Sequence, residues 1–288
     1  MEIAADVECV WPARAVLGEG PCWDARSGNV YWVDIKGARL HAFDISTSAE
    51  RTWAPPHRIF SLDTPPTHWN PPAQAAHWFI GCAEPGFGWI GVAGDDILFQ
   101  TLSHPEPGQF QNRFNDGKTG PDGRYWAGTM HDAETEASGS LYAFAQDGAA
   151  ARIDGGYVVS NGPAFSPDGR TLYHTDSARQ AIYAFDLDAA GQAARRRALI
   201  QFGEGDGYPD GMTCDQAGNL WVAMWDGARI EKLSPDGRRL GALAIPTQRP
   251  TSCVFVNDAG TELFVTSAAI GASAGDALAG ALFRARLR

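Results

Sequence analysis

Three acidic or amide side chains in this chain sit in the same local setting. Glu19 lies between two glycines in LGEGPCW, Asn161 precedes Gly162-Pro163 in SNGPAF, and Asp210 stands between Pro209 and Gly211 in YPDGM. Each comes a few residues ahead of a turn and an apolar strand. A fourth stretch, NRFNDGKTGPDGR, adds Arg113, Asn115 and Asp116. Asn-Gly and Asp-Gly pairs are ordinary turn formers, so any one of these could be structural. Three at the same place in a repeat point instead to one shared site. Glycine beside each lets the backbone approach closely, with no Cβ in the way. Oxygen donors without Cys or His suit a hard or borderline divalent cation: Ca, Mg or Mn, with Fe(II) or Zn also open. Two carboxylates and one amide balance a dication and leave positions for water and substrate. Asp210 is then both a ligand and the candidate catalytic base.

The elements that must bring these residues together are short strands. A Gly-containing polar turn followed by a strand rich in Tyr, Trp, Leu and Val recurs. It appears as DARSGNVYWVD, PDGRYWAGTM, SPDGRTLYHTD, DQAGNLWVAMW and NDAGTELFVTS. The turn glycines, Gly28, Gly123, Gly169, Gly218 and Gly260, are spaced 95, 46, 49 and 42 residues apart. The first interval is double, so one copy is degenerate, most naturally at HWFIG (His77–Gly81). A second series of alternating strands lies between them: RLHAFD, DDILFQ, SLYAFAQDG, AIYAFDLD, RIEKLSPDG and ALFRARL. Six units of about 45 residues, each of roughly four strands, have the size of propeller blades. The expected fold is therefore all-β: a six-bladed β-propeller with four antiparallel strands per blade. Val7–Trp11 at the N-terminus is expected to complete the last blade, which begins after Thr251. Residues 1–288 read as one domain. Ala189–Ala198, rich in Ala and Arg, reads as a helical turn or an exposed charged loop.

Residues Pro55 to Pro107 fit least well. Pro55, Pro56, Pro65, Pro66, Pro71 and Pro72 interrupt any regular pattern. The stretch reads as a Pro-rich insert in the second blade, either a surface elaboration or a lid over one mouth of the ring.

Composition narrows the function. Hydrophobic residues make up 44% of the chain, ample for a core, while Gly 33, Pro 18 and Trp 10 suit many turns and aromatic-rich sheets. Net charge is −11 with no basic run, which argues against nucleic acid or an anionic membrane as partner. Five scattered cysteines without a CxxC pair argue against a disulfide framework or a thiolate metal site. The N-terminus lacks a basic start followed by an apolar run, so it does not read as a secretory signal. A cytoplasmic protein, monomeric or weakly homo-oligomeric, is expected.

The segments LGEGPCWD, YWVDI, NRFNDGKTGPDGRYWAGTM, SNGPAFSPDGRTLYHTDS and YPDGMTCDQAGNLWVAMWDGARI also carry a family resemblance. They run in order from residue 17 to about residue 230, and TSCVFVNDAGTELFVTSA extends the match. The chain is similar to the senescence marker protein/gluconolactonase/regucalcin-like family of six-bladed propellers. That resemblance implies that Glu19, Asn161 and Asp210 are metal ligands. It implies that Arg113 and Asn115 hold the hydroxyls of a sugar lactone, with Asn115 close to the metal. SNGP, YHTD and GTMHD look most like bacterial aldonolactonases of pentose catabolism, in which Fe(II) is the working ion. Other members depend on calcium, and close relatives hydrolyse phosphoesters.

The function expected is hydrolysis of a pentonolactone or hexonolactone to the open aldonate. Three alternatives stand beside it: a metal-dependent phosphotriesterase, a non-catalytic calcium-binding propeller and a protein-interaction propeller. His131, after the strand in GTMHD, is expected against substrate at the pocket mouth, or else capping a loop. His174, inside LYHTD, reads as a hydrogen-bonded core histidine, and Asp116 as a brace for the loop that carries Asn115.

Overall fold

A computed structural model describes residues 1–257 and 259–288; Asp258, within NDAGTELFVTS, lies outside the described residues. Among the described residues there is no helix, and 24 strands form six four-stranded antiparallel sheets. The chain is a six-bladed β-propeller. Its innermost strands are Gly18–Asp24, Ile59–Asp63, Asn112–Thr119, Ser160–Phe165, Tyr208–Cys214 and Pro250–Phe255, and they pack against one another around the centre. The repeated glycines make the turns that follow these strands. Gly28, Gly123, Gly169, Gly218 and Gly260 all have φ between 63° and 82°, a region costly for any residue with a Cβ. The second strand of each blade is covered on both faces by neighbouring blades. Asn29–Asp34, Tyr125–His131 and Leu220–Trp225 are therefore buried almost throughout and are mostly apolar.

The N-terminal strand closes the ring. Ala5–Trp11 pairs antiparallel with Leu282–Leu287, Val7 opposite Ala285 and Cys9 opposite Phe283. It forms the outer edge of the sheet that begins at Pro250. Trp11 seals the joint to the first blade by meeting Trp32 edge-on, with ring centroids 5.6 Å apart.

The second blade differs from expectation. Residues 55–107 hold a complete blade rather than an insert: Ile59–Asp63, His77–Ala83, Gly86–Ala93 and Asp96–Ser103. DDILFQ is the outermost strand of that blade, because GFGWIGVA supplies the third. Its glycines leave no pattern in the sequence, yet they have a packing reason. A Cβ at Gly88 would meet the Phe99 ring at 2.6 Å, and one at Gly91 would meet Trp78 at 2.7 Å. The prolines of residues 65–72 lie in the connection between the first two strands, where a long loop replaces the usual Gly turn. That loop leaves the C-terminal end of an innermost strand. It buries Trp69 against Trp89 and Phe144, and Trp69 Nε1 donates to the Gly123 carbonyl at 3.1 Å.

The Ala/Arg stretch is also a strand rather than a helical turn or loop. Ala193–Gln201 is the exposed outer edge of the fourth blade. Arg195 and Arg197 pair with Asp186, and Arg196 with Asp154, so the edge carries charge that disfavours pairing with another chain.

One irregularity recurs in all six innermost strands. Each slips register against its neighbour near its N-terminal end. The slips lie between Glu19 and Cys22, Ile59 and Ser61, Phe114 and Gly117, Asn161 and Ala164, Pro209 and Met212, and Pro250 and Ser252. A bulge bends the strand and re-aims side chains that would otherwise alternate between blade faces. Here it turns them toward the central channel.

Candidate active site

The bulges put Glu19, Asn115, Asn161 and Asp210 around one cavity of about 530 Å³, together with Arg113. That volume lies in the range of small-molecule sites. Four of the bulged strands thus supply the residues that the sequence singled out. Each is nearly closed to solvent: Glu19 is 6% exposed, Asp210 5%, Asn115 5% and Asn161 4%.

The two carboxylates are buried without adequate partners. Glu19 Oε2 and Asp210 Oδ1 have no hydrogen bond among the described residues. Burial pushes the Glu19 carboxyl well above its usual range, and the nearby charges of Asp210 and Asp116 push it further. Burial does the same for Asp210, with Asp116 and then Glu134 adding to it. A buried carboxylate oxygen with no donor costs free energy unless a cation compensates.

The amides are tied into one hydrogen-bond network. Asn115 Nδ2 donates to the Ser160 carbonyl at 2.9 Å and to Asn161 Oδ1 at 2.8 Å. Arg113 Nη1 donates to Asn115 Oδ1 at 2.6 Å and to the Phe114 carbonyl at 2.9 Å. Asn161 Nδ2 donates to Ser177 Oγ at 2.9 Å, and Ser177 Oγ donates to the Pro209 carbonyl at 2.6 Å. Arg113 is anchored from outside by Asp132, whose Oδ1 accepts from Nε at 2.7 Å. Asp132 also draws in Lys36 at 3.6 Å and Arg58 at 3.7 Å, so one carboxylate ties the top loops of three blades. Arg113 Nη2 makes no hydrogen bond among the described residues.

A divalent cation fits this donor set. Two unpartnered carboxylate oxygens and the Asn161 carbonyl oxygen are hard donors facing one space. Among the described residues no three His, Cys, Asp or Glu side chains gather as a metal cluster.

The structure does not bring His131 to this cavity. His131 lies in a separate groove beside Phe110 and Asp132, where its Nε2 is 2.6 Å from Gln111 Oε1 and its Nδ1 3.1 Å from Thr135 Oγ1. Strand alternation is the reason: its neighbour Met130 faces the cavity, so His131 faces away. His174 is a core residue as expected, fully buried with Nε2 2.9 Å from Ser160 Oγ. Asp116 accepts from the Gly117 amide at 2.8 Å and lines a second, lower cavity with Asp63 and Lys118. It belongs to the bulge itself, not to a loop.

Several lining residues carry no signal of their own in the sequence: Lys36, Glu134, Ser177, Tyr208, Trp225 and Arg249. Most sit on connections at the N-terminal ends of the innermost strands. Once the blades are counted, topology alone places these connections at the mouth.

Comparison with known proteins agrees with this geometry. Residues 17–269 match the model of the SMP-30/Gluconolactonase/LRE-like region. A Pseudomonas putida protein named 6-deoxy-6-sulfogluconolactonase is 34% identical over 288 residues, covering 98% of this chain and 94% of its own. Regucalcin of Oryctolagus cuniculus is 32% identical over 272 residues, covering 92% and 87%. A solved structure described as a luciferin-regenerating enzyme superposes with a TM-score of 0.88 at 28% identity, covering 98% and 95%.

Proposed function

The chain belongs to the SMP-30/gluconolactonase/LRE-like family, and from that premise we propose that it is a divalent-metal-dependent hydrolase of sugar-acid lactones. The observation that carries the reading is the pair of buried, unpartnered carboxylate oxygens, Glu19 Oε2 and Asp210 Oδ1, on a cavity of monosaccharide size. Glu19, Asn161 and Asp210 would hold the cation, with Asn115 beside it. Bound there, the ion supplies Lewis acidity toward the ester carbonyl and the positive charge that keeps both carboxylates ionised.

The chain's own residues do the rest. Asp210 takes a proton from the water whose oxygen bonds to the carbonyl carbon. The ring C–O bond breaks as Asp210 hands that proton to the departing ring oxygen, which becomes a hydroxyl; the carboxylic acid so formed ionises, giving an aldonate plus one proton at neutral pH. Arg113 Nη2 and the Asn115 amide orient ring hydroxyls, so reaction follows from position as well as polarisation. Burial in a nearly closed floor keeps bulk water away from Asp210.

The substrate class is a pentonolactone or hexonolactone. A 6-sulfonated gluconolactone belongs in the panel, because one relative is named for acting on it. The test is proton release on lactone hydrolysis, followed with a pH indicator, by metal-stripped protein with Fe(II), Mn, Zn, Mg or Ca restored singly.

A further inference from the structure

We infer that Ser177 is a positioning residue: it aims the Asn161 carbonyl at the cation by tying the fourth blade to the backbone of the fifth. The inference rests on the metal-site reading above.

The direction of every hydrogen bond in the cluster is fixed from its two ends. At one end the Pro209 carbonyl can only accept, so Ser177 spends its single proton there, at 2.6 Å. Ser177 Oγ can then only accept from Asn161, at 2.9 Å, which places Nδ2 on that side and Oδ1 on the other. At the far end Arg113 has only donors and the Ser160 carbonyl only accepts. Asn115 must therefore present Oδ1 to Arg113 and Nδ2 to Ser160 and to Asn161 Oδ1. Both ends demand the same orientation of Asn161. Its carbonyl oxygen keeps a second lone pair for a cation.

Ser177 does a second thing. Pro209, which receives its proton, is the residue before Asp210. One hydroxyl thus sets both the rotation of one ligand and its spacing from the next. Ser177 itself is 8% exposed and lines the same cavity.

The test compares wild type, Ser177→Ala and Ser177→Thr after metal stripping, each titrated calorimetrically with Mn(II) alone. The alanine variant is expected to bind ten- to a hundredfold more weakly, and the threonine variant, which keeps the hydroxyl, within about threefold of wild type. In parallel, the side-chain amide signal of Asn161, identified by its loss in Asn161→Asp, is followed by ¹⁵N NMR in metal-free protein. It is expected to be protected in wild type and to lose that protection in Ser177→Ala. An alanine variant that binds Mn(II) as wild type does, or that only melts earlier with its affinity unchanged, overturns the assignment. Wild type that binds no ion overturns the metal-site reading instead, and the amide signal still decides what Ser177 does.

Discussion

Asn115 Nδ2 donates to Asn161 Oδ1 at 2.8 Å across the boundary between the third and fourth blades. The two amides come from equivalent bulges 46 residues apart in the chain. They form the middle of a line that runs from Asp132 through Arg113, Asn115, Asn161 and Ser177 to the Pro209 carbonyl. This line holds the amide side of the cavity rigid, while the two carboxylates on the other side are left short of partners. A site that is ordered on one side and electrostatically unsatisfied on the other is poised to take a cation.

The first prediction concerns that imbalance. Replacing Asp210 by Asn in metal-free protein removes a buried, unpartnered carboxyl from a cluster of like groups, so the variant melts higher than wild type, by about 2–4 °C for each kcal/mol gained. It loses the upward shift that a divalent ion gives wild type, and its turnover falls by about a hundredfold or more. Thermal melts with and without ion, beside the lactonase rate, check all three. A variant that melts lower without metal would contradict the electrostatic account.

Arg113→Lys keeps the charge and loses the planar fork. A lysine cannot reach Asp132, Asn115 and the substrate together. A fall in kcat/KM of about 10- to 100-fold is expected, mostly through KM, with cation affinity changed less. Steady-state kinetics over the lactone panel measure it.

Ring closure depends on Trp11. Trp11→Ala removes a buried indole that packs on Trp32 and His41, and should cost about 3–5 kcal/mol in urea unfolding. Because the ring closes through this strand, the loss should appear in one cooperative transition for the whole molecule.

Two buried histidines make the fold acid-sensitive. Burial lowers His174 from 6.5 to about 3 and His41 from 6.5 to about 4. Both are neutral in the fold, whereas the unfolded chain protonates them near 6.5. Their share of stability is whole above pH 6.5. Below it, stability falls by about 1.4 kcal/mol per pH unit per histidine, until the folded values are reached. Their ring proton NMR shifts should not move between pH 8 and pH 5.5. A titration of either near 6.5 would contradict the burial argument.

The sequence made the ring legible because the turn glycines repeat and each is followed by a strand with an aromatic or aliphatic centre. Glu19, Asn161 and Asp210 were legible because each stands beside the glycine that its bulge requires. What escaped did so for physical reasons. The second blade has no Gly turn between its first strands, and its third strand is glycine-rich because aromatic side chains from neighbouring strands fill the space above it. Ala193–Gln201 looks like a charged loop because it is an outer edge, where arginines face water. His131 carries the right chemistry on the wrong face of its strand. Ser177 has no signature at all; its role comes from a carbonyl 32 residues away.

The central claim is that Glu19, Asn161 and Asp210 hold a cation for lactone hydrolysis. It is tested most directly by the rate of proton release from a lactone panel with metal-stripped protein and single ions added back. The account predicts no rate above spontaneous hydrolysis without metal, recovery with one or a few divalent ions, and no recovery in Asp210→Ala. Full turnover by the stripped protein, or by Asp210→Ala, would contradict it.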